Sequence, residues 1–130
     1  MVTKQKASGD ILRAFEAYNT RDMSVIGQLV DEFFAPEYTY HNSGVRDLAP
    51  GREGIKQLVD WLYKAMPDLY HNAPEDVIVQ GDKVALRYSM RRTDPATGKA
   101  LTCMSLVIER YAGDKIAEMW ELVGPWEDEG

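Results

Sequence analysis

The chain has 130 residues, 45% of them apolar and 28% charged, with a net charge of -6. That length fits one domain over residues 1–130 with a core that needs no staples, and the composition is not that of a disordered chain. The acidic balance, without a clustered basic face, argues against a nucleic-acid partner, and no apolar run reaches the roughly 20 residues of a membrane span.

The segments 1–7 and 125–130 read as loose tails. Ile11, Leu12, Phe15 and Tyr18 recur at helical spacing, with Ser8 or Asp10 as candidate caps. Asp22 is placed to cap a second helix whose apolar face is Ile26, Leu29, Val30 and Phe33, with Pro36 just beyond its end. Tyr38-Thr39-Tyr40-His41-Asn42 is a short β-type run, and Ser43 to Pro50 reads as a loop. Ile55, Leu58, Val59, Leu62 and Met66 mark a third helix, preceded by Pro50 and Gly51 and stopped by Pro67.

The second half changes period. Val77-Ile78-Val79, Lys83 to Thr93, Ala100 to Ala112 and Lys115 to Val123 are β-type runs. Gly81-Asp82, the cluster Asp94 to Gly98, and Gly113-Asp114 separate them. Such turns join hairpins, so an antiparallel meander is predicted, and strands this long twist and curl. The predicted class is α+β: a curved, cone-shaped antiparallel sheet packed with N-terminal helices around an interior able to hold a small apolar molecule. Apolar residues fall on both faces of the strands; Leu101, Cys103 and Val107 alternate with Met104, Leu106 and Ile108. Helices cover one face, and a homodimer through the sheet is expected to cover the other.

Met1 to Asp10 carries lysines with no apolar stretch behind them, so no secretory signal is predicted and the cytoplasm is the expected compartment. The one cysteine, Cys103, cannot form an internal disulfide and reads as a small core residue. There is no Gly-rich phosphate loop and no Gly-x-Ser-x-Gly elbow, and one cysteine with two distant histidines does not make a zinc site. No metal and no cofactor are expected.

Candidate chemistry gathers at two places. Glu121, between Trp120 and Leu122, reads either as a carboxyl facing the cavity, suited to general acid-base work, or as a charge on the solvent face of an alternating strand. His41 and Asn42 take opposite faces by alternation, and Asn42 shares parity with Tyr38 and Tyr40. Asn42 and a tyrosine suit a ligand carbonyl. His41 suits either a proton shuttle or a hydrogen bond to the loop backbone. Trp61, Met119 and Trp120 read as core, with some lining a cavity. Glu75 and Asp76 read as edge charges, Arg52 as a tie between loop and helix, and His71 as a surface residue.

Several segments together carry a family resemblance: Phe34-Ala35-Pro36-Glu37-Tyr38, Tyr40-His41-Asn42, Gly51-Arg52-Glu53-Gly54-Ile55, Met66-Pro67-Asp68-Leu69, Gly81-Asp82-Lys83-Val84-Ala85 and Gly113-Asp114-Lys115-Ile116-Ala117-Glu118-Met119-Trp120. In order and spacing they resemble the SnoaL-like branch of the nuclear transport factor 2 fold, which contains polyketide cyclases. The resemblance implies a cystatin-like cone with a pocket, dimerisation through the sheet, and a cofactor-free aldol closure in which the acid after the last-strand tryptophan carries the proton. It also implies a pocket-rim role for the His-Asn pair. Here the acid is Glu121 where the family usually has aspartate. The hairpin Asp94 to Lys99 is shorter than in typical cyclases and lacks their histidine.

Overall fold

The computed structural model describes residues 2–42 and 48–129; of the expected loop from Ser43 to Pro50, residues 43–47 lie outside these. The element order is α1 (Lys4–Asn19), α2 (Met23–Phe33), β1 (Phe34–His41), α3 (Arg52–Ala65), β2 (Tyr70–His71), β3 (Asp76–Gln80), β4 (Lys83–Thr93), β5 (Ala100–Ala112), β6 (Lys115–Val123) and β7 (Glu127–Asp128).

Each helix start has a physical cause. The Asp22 carboxyl accepts from the Ser24 amide at 2.9 Å and caps α2, as its position predicts. Helix α1 starts earlier than the candidate caps Ser8 and Asp10 suggest: Thr3 Oγ1 accepts from the Lys6 amide at 3.1 Å. Ala7 extends the stripe of Ile11, Ala14 and Phe15 by one turn, so burial carries the helix past Gly9. The ends expected to be loose tails are also engaged. Val2 is buried and its amide donates to the Gly81 carbonyl at 3.2 Å, while the Arg92 guanidinium lies 4.9 Å over the Trp126 ring.

The strands form one sheet in the order β1-β6-β5-β4-β2, with β3 also on β4 and β7 also on β5. It curls into a half-barrel around the helices. The three hairpins join β3 to β4, β4 to β5 and β5 to β6, as the turn residues predict. Two features are not local. Strand β1 pairs in parallel with β6, setting Tyr40 beside Met119 and His41 beside Trp120. Strand β6 carries a bulge: Tyr111 opposes Ile116, Arg110 opposes Glu118, and Ala117 is the extra residue. Both Ile116 and Ala117 are buried at that step. Beyond it Met119 opposes Glu109 and Glu121 opposes Val107.

The core runs between the helices and the inner face, with Phe34, Ile26, Leu69, Val30 and Val84 fully enclosed. Each such side chain contributes about 1.5–3 kcal/mol by burial. Arg52 ties α3 to β1 through Nε and the Phe34 carbonyl at 2.8 Å, and Arg87 pairs with both Glu75 and Asp76 at the sheet edge. No helix among the described residues is long and apolar enough to cross a membrane.

Gly54 gives a test in which sign matters. Inside a helix, alanine is ordinarily better than glycine by about 1 kcal/mol. Here a Cβ would stand 2.0 Å from the Ala49 carbonyl oxygen. The backbone must move, so Gly54→Ala is expected to destabilise by about 1–3 kcal/mol in urea denaturation, against its helix propensity. Equal or greater stability would show that the chain before α3 gives way freely.

Candidate active site

Between the helices and the curled sheet lies a cavity of about 250 Å³. Helix α1 contributes Ile11 and Phe15 and α3 contributes Leu58 and Leu62, facing Leu86 and Val107 from the sheet. Into this apolar wall project three acidic side chains, Asp10, Glu109 and Glu121; no lysine or arginine among the described residues lines it.

Glu121 is the centre of a polar network drawn from four strands. Its Oε1 accepts from the Tyr40 hydroxyl at 2.5 Å. Its Oε2 accepts from the Tyr88 hydroxyl at 2.8 Å and from Ser105 Oγ at 2.7 Å. Asn42 Nδ2 in turn donates to the Tyr40 hydroxyl at 3.0 Å. The sheet explains the convergence. Tyr88 and Ser105 are directly opposed across β4 and β5, Glu121 follows on β6, and Tyr40 comes from β1 on its far side. A carboxylate offers about four lone-pair positions, and the three hydroxyls engage one on Oε1 and two on Oε2. One position on Oε1 is left for a proton. Burial, then the charge of Glu121, holds the Tyr40 and Tyr88 hydroxyls well above the usual phenol range, so both stay donors.

Tyr40, Asn42, Trp61, Met119 and Glu121 all line the cavity, with Trp61 at its rim and 60% exposed. Three predicted residues lie elsewhere. His41 is on the outer face, stacked on Trp120 at 5.2 Å and paired with Glu118 at 2.7 Å. Both assignments therefore need correction: the parallel register that turns Tyr40 and Met119 inward turns His41 and Trp120 outward. Tyr38 is buried against Phe34 and lines a separate cleft before α3.

The sequence reading did not single out Ser105, Glu109 or Tyr88, and it misplaced His71. Ser105 and Glu109 share a face of β5 with Cys103 and Val107, so two polar residues among buried ones were the available signal. His71, expected at the surface, is buried against the rings of Phe15, Tyr18 and Tyr88. Asn19 pins its backbone in both directions, at 2.9 and 2.8 Å. Burial lowers the His71 imidazole to about 4, and burial raises the Cys103 thiol to about 11, so neither is charged at neutral pH. No group of three or more His, Cys, Asp or Glu among the described residues is placed to hold a metal.

The profile of the SnoaL-like domain family matches residues 11–119. Among solved structures, TsrD from Streptomyces laurentii superimposes with a TM-score of 0.78 at 20% identity, over 95% of this chain and 91% of that one. IdmH from Streptomyces antibioticus, a proposed polyketide cyclase, gives 0.75 at 26% identity over 89% and 90%. A SnoaL-like polyketide cyclase from Agrobacterium tumefaciens gives 0.73 at 16% identity over 95% and 93%. No curated protein matches the chain significantly.

The neutral His71 makes an acid-side prediction. The unfolded chain takes up its proton near about pH 6.5, the folded chain only near about 4. Between those values the unfolded state binds more protons, so this group's contribution to stability falls as pH drops through the window. Relative to the parent, His71→Phe is expected to gain stability between about pH 7 and about pH 4.5, read from urea midpoints at each pH. A constant difference would place the imidazole in water.

Proposed function

Because the chain belongs to the SnoaL-like domain family, we propose that its cavity binds a small apolar carbonyl compound and moves a proton on it through Glu121, without a cofactor, as a cyclase or isomerase. The observation that carries this reading is the cradle of Glu121: a carboxyl on an apolar cavity wall, held by three neutral hydroxyls and, among the described residues, by no cation. A base so placed is oriented without being neutralised. In the cyclase form of the reaction it takes a proton from the carbon beside a carbonyl. The resulting enolate carbon bonds to a second carbonyl carbon of the same molecule. The alkoxide formed there receives the proton back. Tyr40 and Asn42, which line the same wall, orient the ligand; His41 faces away and has no part in it.

A test needs no knowledge of the natural substrate. Apolar β-diketones in heavy water, followed by proton NMR, should exchange their α-hydrogens faster with the protein than without it. Glu121→Gln keeps the shape and removes the base, so the gain should fall by about 100-fold or more. Equal rates for the two proteins would remove the catalytic reading. A binding role without turnover would then stand, which is favoured by both oxygens of Glu121 already having partners.

The outer face of the sheet bears on assembly. Met104, Leu106 and Ile108 on β5 and Trp120 and Leu122 on β6 are exposed side by side, Leu122 by 69%. A contiguous apolar face of this kind is a contact surface in most soluble proteins. A two-fold dimer through it would bury the same patch on both copies. Light scattering at micromolar concentration should give twice the chain mass, and Leu106→Lys should return the single-chain mass. A single-chain mass for the parent would leave the sheet face without this partner.

A further inference from the structure

Glu109 has no part in the proton transfer proposed for Glu121, yet among the described residues it is the one buried acidic side chain, only 4% exposed. It lines the cavity, and its Oε1 has no hydrogen-bond partner. It opposes Met119 across β5 and β6, and Glu121 stands two residues further along β6. The two carboxyls are therefore diagonal neighbours on one wall, with Cα atoms about 7–8 Å apart. Their surroundings differ sharply. Glu121 is met by three hydroxyl donors; among the described residues the Oε1 of Glu109 is met by none.

Among the described residues, the groups around Glu109 give it no cation. From α1 come Asp10 and Tyr18, and Asp10 is already engaged by Lys6 Nζ at 2.9 Å and by the Tyr111 hydroxyl at 3.1 Å. From β1 comes Tyr38, whose hydroxyl also lacks a partner, and from β6 comes Glu121. An ionised Glu109 would be a bare charge in an apolar wall beside two like charges, and the protonated acid avoids both penalties. Burial first, then the charges of Asp10 and Glu121, push the carboxyl up to about 8. A buried acid that holds its proton while its Oε1 makes no hydrogen bond has a donor to spare.

We propose that Glu109 is a ligand-binding residue, whose protonated carboxyl donates a hydrogen bond to a carbonyl oxygen of the molecule in the cavity, and that the cavity rejects carboxylate ligands. This rests on reading the cavity as a site for an apolar carbonyl compound, and it supplies that ligand with an anchor distinct from the base. The rejection follows from the same wall, where, among the described residues, three acidic side chains and no lysine or arginine meet an entering anion.

Three matched probes test it by calorimetry: 1-acetonaphthone, 1-isopropenylnaphthalene, which replaces the carbonyl by an alkene, and 1-naphthoate. The parent chain should bind the ketone about tenfold or more tightly than the alkene and the naphthoate much more weakly still. If only the protonated form binds the ketone, its affinity should fall about 30-fold between about pH 6.5 and about pH 9.5. Glu109→Gln keeps a donor that does not titrate, so its ketone affinity should be flat over that range. Glu109→Leu should bind ketone and alkene alike. A flat pH profile in the parent, an unchanged slope in Glu109→Gln, or naphthoate bound as well as the ketone would overturn the assignment. Ketone and alkene bound equally by the parent would remove Glu109 alone; neither bound would remove the carbonyl-site reading and this one with it.

Discussion

A negative charge in an apolar cavity must be stabilised by something, and here no cation among the described residues lines the cavity to do it. Neutral dipoles carry that task for Glu121. Their supply is a matter of strand register. Tyr88, Ser105 and Tyr40 reach the carboxyl only because β4, β5, β6 and β1 present the right residues at one level of the curled sheet. Slipping β1, β4 or β5 by one residue would turn its donor outward and leave the charge with one partner fewer. The closing strand β1 matters most in this respect. It is the only one of the four that is not joined to its neighbour by a hairpin, and it brings both Tyr40 and Asn42.

The fold was largely legible in the sequence because its determinants are local. Helical spacing marked the faces of α2 and α3, Asp22 marked a start, and Gly-Asp pairs marked hairpins. The site was only half legible because its determinants are not local. Alternation places His41 and Asn42 on opposite faces, but which face is inner depends on the pairing of β1 with β6, some 80 residues away in sequence. Glu109 was hidden because β5 is apolar on both faces, so its polar residues have no contrasting pattern to stand against. His71 lies in a two-residue strand among polar neighbours, and its burial comes from helices packed over it.

The same cavity gives the molecule two opposed pH responses. His71 is held neutral, which costs stability as pH falls below the ordinary imidazole value. Glu109 is held protonated, so its contribution diminishes as pH rises from the ordinary carboxyl value through about 8. Between about pH 4.5 and about pH 6.5 the two slopes have opposite signs and offset each other. Above that window only the Glu109 slope remains. Both arise from one cause, the exclusion of water by the aromatic and aliphatic lining.

The bulge at Ala117 sets which chemistry the cavity contains. Carried on from the turn without a bulge, the hairpin register would set Glu121 against exposed Leu106 and bring Trp120 to the inner wall. Deleting Ala117 itself would leave the pairs beyond it unchanged, with Met119 still opposite Glu109 and Glu121 opposite Val107, so the bulge is what lets a strand longer by one residue keep its acid-lined interior. A relative of this sheet with one residue fewer at that step would therefore present the same interior, separated from this chain by a single-residue gap. Alignments that treat such a gap as noise would pair residues from opposite faces of the sheet.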